Sequence, residues 1–139
     1  MNQRHIRIIE LVSQYRKIEI NELAEMMEFS KVTIRKDLDF LENKGILQRE
    51  RGFAVLKSPA DINCQMAFHY EAKAKIAKEA AKLVDEGETI IVDSGSTCAL
   101  FAEELILAEK KITIITNSTY IANRVNDNSK IDIILLGGN

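Results

Sequence analysis

Apolar positions in the first 58 residues repeat with two different periods. From Arg4 to Tyr15 the spacing is helical, with Ile8, Leu11, Val12 and Tyr15 on one stripe. Lys17-Ile18-Glu19-Ile20 alternates like a short strand. Glu22 to Met27 turns Leu23, Ala24 and Met27 inward as a helix, with Asn21 placed to cap it. Glu28-Phe29-Ser30 leaves room only for a tight turn. Ser30 then caps a second helix, in which Ile34, Leu38 and Leu41 share a side and Val32, Lys36 and Asp39 lie opposite. Lys31 and Arg35 flank the outer face on one side, Thr33 and Phe40 on the other, and Gly45 stands where a helix stops. Two short helices, a tight turn and a polar outer face on the second predict a helix-turn-helix. Ile46 to Arg49, Glu50-Arg51-Gly52 and Phe53 to Leu56 read as strand, turn and strand, which beside such a motif form a wing.

Beyond Leu56 the rhythm changes. Ser58-Pro59 holds the one proline of the chain and marks a hinge. Residues 60–69 show no clear period. Tyr70 to Val84 reads as a helix with Ala72, Ile76, Ala80 and Leu83 inward and Lys73, Lys75, Lys78 and Lys82 on a solvated face. Strands at Glu88–Val92, Ile112–Thr116 and Ile131–Leu136 alternate with helices at Cys98–Leu107 and Thr119–Asn126. That alternation predicts a parallel α/β sheet. The expected organisation is a winged helix-turn-helix over residues 1–58, a linker over 59–70, and the N-terminal part of an α/β domain over 71–139.

Charge sharpens this division. The chain has 139 residues and a net charge of −2. Residues 1–58 hold eleven Lys/Arg against nine Asp/Glu, while 59–139 hold eight against twelve. A mildly basic head on an acidic body suits a compact DNA reader with a separate second domain. The hydrophobic and charged fractions are those of a globular protein. No apolar run is long enough to span a membrane and the first residues do not read as a signal peptide, so the expected location is cytoplasmic. Cys64 and Cys98 lack CxxC spacing and read as reduced thiols. His5 and His69 have no ligand partners at metal spacing, and no cofactor is expected.

The chemistry concentrates in two places. Hydroxyls, cations and one exposed apolar residue at the start of the second helix are the groups that touch phosphates, guanine edges and thymine methyls in a major groove. Ser30, Lys31, Val32, Thr33, Arg35 and Lys36 form that set, with Asn21 beside it and Arg49 and Arg51 near the wing tip to grip phosphate or enter a minor groove. Taken alone, such a helix is more often a solvated amphipathic surface; the turn before it and the wing after it change that balance. Asp37 would repel phosphate if it faced DNA, so it is assigned a structural role with a nearby cation.

The second place is the carboxyl end of the parallel strands, where such sheets bind ligands. Asp93, Ser94, Gly95, Ser96 and Thr97, then Asn117 and Ser118, then Gly137 and Gly138 all fall there. Small and hydroxyl residues ahead of a helix N-terminus suit an anion such as phosphate, and Asp93 suits a sugar hydroxyl. The alternative is that Asp93 and Thr97 merely cap the helix. The loop is neither a Walker A sequence, nor a dinucleotide loop, nor a nucleophile elbow with a histidine base. These features point to binding, and no catalytic residue is assigned.

The run Ser30-x-x-Thr33-Ile34-Arg35-Lys36-Asp37-Leu38, followed by Leu41-Glu42, Gly45-Ile46-Leu47 and Arg49, resembles the winged helix of DeoR-family bacterial transcriptional regulators. Leu23-Ala24 and Phe29-Ser30 match the first helix and turn of that motif. Lys75-Ile76-Ala77, Asp93 to Thr97, Thr116-Asn117-Ser118 and Gly137-Gly138 resemble the family's sensor domain. The resemblance implies a sensor fold similar to ribose-5-phosphate isomerase, a phosphorylated-sugar effector, a double-stranded DNA operator of a carbohydrate-use operon, and a homo-oligomer. It implies a repressor relieved by its effector, with an isomerase-like sugar-phosphate enzyme carrying an accessory winged helix as the alternative. A winged helix used only for protein contact is a third reading. Two departures stand out. The family wing usually reads His-Gly-Gly-Ala, against Arg51-Gly52-Phe53-Ala54 here, and family members are usually far longer, so a truncated sensor half is expected.

Overall fold

The computed structural model describes residues 2–58 and 60–137. The chain divides into two compact units, residues 1–70 and 71–139. In the first, helix α1 (Gln3–Tyr15) is capped by Asn2, whose side chain accepts from the His5 amide at 2.8 Å. Strand β1 (Lys17–Glu19) leads into helix α2 (Ile20–Met27). Here the expected cap is corrected: α2 begins one residue before Asn21, which lies in its first turn and donates from Nδ2 to Glu19 Oε1 at 3.3 Å. The start is set by the sheet, because Glu19 pairs with Phe53 and the Ile20 amide donates to Gly52 O at 2.9 Å.

Helix α3 (Lys31–Asn43) follows a turn in which Glu28 adopts the left-handed conformation, φ 56°. Ser30 Oγ accepts from the Thr33 amide at 3.2 Å, and Ile34, Leu38 and Leu41 are fully buried. At the other end Gly45 (φ 72°) makes a Schellman stop, its amide donating to Glu42 O at 2.9 Å and the Ile46 amide to Leu41 O at 3.0 Å. Strands β2 (Leu47–Glu50) and β3 (Phe53–Leu56) complete an antiparallel sheet of order β1-β3-β2. Glu50 pairs with Phe53 across a two-residue loop whose members, Arg51 and Gly52, both have positive φ. That is the backbone a type I′ hairpin requires, and Phe53, which departs from the family pattern, lies outside the loop as the first residue of β3.

Residues 60–70, expected as part of a linker, fold instead. Helix α4 (Ile62–Ala67) is capped by Asp61 and sets Cys64 and Ala67 into the core of the first unit, with Tyr70 packed partly against it. Three buried positions within four residues, Cys64, Met66 and Ala67, are too few to register as a period. Burial pushes the Cys64 thiol up to about 11.

In the second unit helix α5 (Tyr70–Lys82) buries Ala77 and Ala81, and Val84 follows. The expected inward stripe is wrong in phase: Ile76 is 59% and Leu83 81% exposed. Hydropathy favoured the larger residues, whereas the helix uses its alanines to pack. Strands β4 (Thr89–Val92), β5 (Ile112–Thr116) and β6 (Ile131–Leu135) form a parallel sheet in that order, linked by helices α6 (Ser96–Ala108) and α7 (Thr119–Val125). Ile112, Ile114 and Thr116 on one face are buried, as are Leu100 and Leu105 of α6 and Ile121 and Val125 of α7. On the opposite face Ile91, Ile115 and Ile134 stand in one row across the three strands. Among the described residues no helix is long and apolar enough to cross a membrane.

Candidate functional site

The burial of Ile34, Leu38 and Leu41 fixes which side of α3 faces out. Lys31, Val32, Arg35 and Lys36 are exposed and Thr33 is half-buried. The Ser30 and Thr33 hydroxyls lie 2.9 Å apart at the surface, ordered by the cap itself. All three acids of α3 are engaged within the unit. Asp37 binds Arg4 and His5 of α1, while Asp39 and Glu42 bind Arg49 of the wing. Lys31, Arg35 and Lys36 form no ion pair among the described residues. The leading half of the helix therefore presents uncompensated positive charge beside an apolar Val32.

Asp37 is 4% exposed, the most buried carboxylate of the unit. Burial alone would raise its pKa, but the hydrogen bonds from Arg4 and His5 and the charge of Arg4 hold the carboxyl below its ordinary range. Pairing of Asp37 with a cation was legible in the sequence; its partners on α1 were not, since they lie more than thirty residues away.

The two wing arginines differ. Arg49 is tied to α3: Nε and Nη2 donate to Glu42 Oε2 at 2.9 and 2.7 Å, and Nη2 reaches Asp39 Oδ1 at 2.6 Å. The Arg49 amide also donates to Glu42 Oε1 at 2.9 Å. That amide bond, then the guanidinium, pulls the Glu42 pKa down. Arg51 stands exposed at the hairpin tip with no ion pair among the described residues. Asn21, bound to Glu19, sits at the start of α2.

In the second unit the loops after β4 and β5 are tied together. Asp93 Oδ1 accepts from the Ser94 amide at 2.7 Å and from Asn117 Nδ2 at 3.1 Å. Ser118 caps α7, accepting from the Ile121 amide at 3.3 Å, and the Ser118 amide donates to the buried Thr116 Oγ1 at 3.1 Å. Gly95 (φ 148°) precedes α6 with no side-chain cap, and Ser96 and Thr97 lie in the first turn of that helix. Gly137 follows β6, whose end is held to β5 by the Leu136 amide on Thr116 O at 2.8 Å. Gly138 lies outside the described residues.

One residue of this cluster was missed by sequence reasoning. Lys73, expected on the solvated face of α5, donates from Nζ to Ser96 Oγ at 2.9 Å. Burial lowers its pKa. The signal was present in phase: Lys73, Ala77 and Ala81 are successive i, i+4 positions on the packed stripe.

Comparison with known proteins matches the two ends of the chain to two separate domain families. Residues 4–60 match the DeoR-like helix-turn-helix domain, and residues 68–139 match the DeoR C terminal sensor domain. The HTH-type transcriptional regulator GolR of Listeria innocua is 39% identical over 140 residues, covering 98% of this chain and 55% of that protein. The glycerol-3-phosphate regulon repressor of Haemophilus influenzae is 34% identical, covering 97% and 54%. The HTH-type transcriptional regulator UlaR of Shigella dysenteriae is 30% identical, covering 98% and 55%. The chain thus spans about half the length of the curated relatives it matches. With both of its units matched in order, the chain belongs to the DeoR family of transcriptional regulators.

Proposed function

We propose that this chain is a cytoplasmic, homo-oligomeric repressor that reads a double-stranded DNA operator with α3 and responds to a phosphorylated sugar at the β4–α6 loop. The observation that carries the reading is the charge arrangement on α3. Its acids are drawn back onto α1 and the wing, and Lys31, Arg35 and Lys36 are left facing out around Val32. A helix so arranged attracts phosphate along its flanks and brings donors and an apolar contact to base edges. Ser30, Thr33 and Arg51 complete the DNA-facing set, with Asn21 beside it. Arg49 serves the wing's attachment instead.

Support for the effector comes from the start of α6, which has no side-chain cap and whose first residue, Ser96, accepts through Oγ from the Lys73 ammonium, a combination suited to phosphate. Asp93 and Asn117 offer an acceptor and a donor for sugar hydroxyls across the strand ends, beside Ser94, Gly95, Ser118 and Gly137. The relative named as a glycerol-3-phosphate regulon repressor points to the same ligand chemistry. On this reading the parallel sheet is the first half of a fold like that of ribose-5-phosphate isomerase, used for binding.

A gel shift on the DNA flanking the gene tests the reading. We expect binding tighter than to random duplex, falling steeply with salt as phosphate contacts release counterions. Arg35→Ala or Lys36→Ala is expected to weaken specific binding by about 1–3 kcal/mol where the side chain makes a good base contact. Equal affinity for random DNA, or no effect of either substitution, removes α3 from the interface.

A further inference from the structure

We propose that Arg4 and His5 of α1 act on DNA through Asp37, as positioning residues that set the roll of α3 about its own axis. The inference rests on the reading of α3 as the DNA-facing helix. The apolar contact of Ile34, Leu38 and Leu41 with the core holds α3 in place but is non-directional, so by itself it leaves the helix some freedom to roll. Tips of side chains on a helix stand about 5–6 Å from its axis, so a roll of about 10° displaces them by about 1 Å. That is enough to break a well-aligned hydrogen bond to a base edge.

Asp37 supplies the missing direction. Its Oδ1 accepts from Arg4 Nη2 at 2.9 Å while Oδ2 accepts from Arg4 Nε, a forked pair of fixed geometry. His5 Nε2 lies 3.1 Å from the same Oδ1. The imidazole cannot turn away, because its Nδ1 accepts from the Asn2 amide at 3.4 Å and so completes the cap of α1. That contact leaves the hydrogen on Nε2, where it donates to Asp37. The ring also stacks on Phe40 of α3, with centroids 4.5 Å apart and planes 16° from parallel. The Arg4 guanidinium stands 5.0 Å from the Phe29 ring in the turn that enters α3. The first turn of α1 therefore grips α3 at its entry turn, its middle and its Phe40 side. The Arg4 guanidinium and the His5 imidazole are both committed to Asp37 of the same unit, which is not how a phosphate contact is built.

The test uses a duplex selected by the full chain from a random pool, a scrambled duplex of the same length, and melting curves for every variant. We expect Arg4→Gln and Asp37→Asn each to lower affinity for the selected duplex about tenfold or more. Affinity for the scrambled duplex should stay within about twofold, with its salt dependence unchanged. The double variant should be no worse than either single one, because both remove the same link. Arg4→Lys, which keeps the charge and loses the fork, should fall between wild type and Arg4→Gln, and it carries the test if Arg4→Gln fails to fold. Parallel loss on both duplexes with a shallower salt slope would make Arg4 a phosphate contact and overturn the inference, as would unchanged discrimination. If the wild-type chain selects no sequence at all, the reading of α3 falls first and this inference with it.

Discussion

Arg49 of β2 and Glu42 of α3 are joined by three hydrogen bonds, one from the Arg49 amide at 2.9 Å and two from its guanidinium at 2.9 and 2.7 Å. Asp39 shares the same guanidinium at 2.6 Å. Both side chains remain about one-third exposed, so solvent screens the pair, and removing it costs about 1 kcal/mol or less. Arg49→Ala should thus lower the melting temperature slightly and leave the salt slope of non-specific DNA binding unchanged. Arg51→Ala at the tip should instead flatten that slope by about one ion. A filter-binding series at rising salt separates the two. Equal slopes for both variants would return Arg49 to the DNA-contacting set.

The Asp37 carboxyl makes a pH signature. Its folded-state pKa lies below the ordinary carboxylate value, so its stabilising effect is complete above about pH 4 and is lost as pH falls through the lowered value. Asp37→Ala leaves His5 buried without its acceptor and should cost about 2 kcal/mol near neutral pH, less than a fully dry pair because the Arg4 side chain is 31% exposed. Urea melts from pH 7 down to pH 2 check this: the gap between wild type and Asp37→Ala should close below pH 4. A gap that persists undiminished in acid would mean the carboxylate charge is not what holds the two helices.

The winged helix was legible because each of its signals is local. Ser30, Gly45, the 34-38-41 stripe and the Arg51-Gly52 turn all act within a few residues of themselves. Partners distant in sequence were not legible. Nothing in the chain near Arg49 says that it will meet Glu42, and nothing near Lys73 says that it will meet Ser96. The phase of α5 was misread for a different reason. Its packed side is made of alanines, which weigh little on any hydropathy scale, while Ile76 and Leu83 stand exposed. The short α4 leaves no legible period because it buries Cys64, Met66 and Ala67 without completing two turns.

Glu28 occupies the left-handed region in the turn between α2 and α3, φ 56° and ψ 35°. A residue with a Cβ is strained there by about 1–2 kcal/mol relative to glycine, partly offset by the extra freedom glycine has when unfolded. The capping hydrogen bond comes from the backbone amide to Glu25 O at 3.1 Å, so it survives any substitution that keeps the turn. Glu28→Gly should accordingly stabilise the first unit by about 0.5–1 kcal/mol, read as a higher urea midpoint with an unchanged slope. A lower midpoint would mean that the Glu28 side chain contributes more than its backbone strain costs.

Lys73 is held in the second unit at a desolvation cost, seen in its lowered pKa, and its ammonium points at the hydroxyl that opens α6. An anion at the start of α6 would offset that cost directly, because a phosphate beside the ammonium favours its charged form. Ligand binding to the folded state raises the melting temperature, by the equivalent of about 2.7 kcal/mol at a hundredfold excess over Kd. Screening a panel of phosphorylated sugars by thermal shift should therefore find at least one that stabilises the wild-type chain. Lys73→Gln should remove most of that shift and Ser96→Ala part of it, while unphosphorylated sugars should give none with any variant. DNA affinity without effector should stay within about twofold in both, since neither residue belongs to the first unit. A full shift retained by Lys73→Gln would place the anion away from the start of α6.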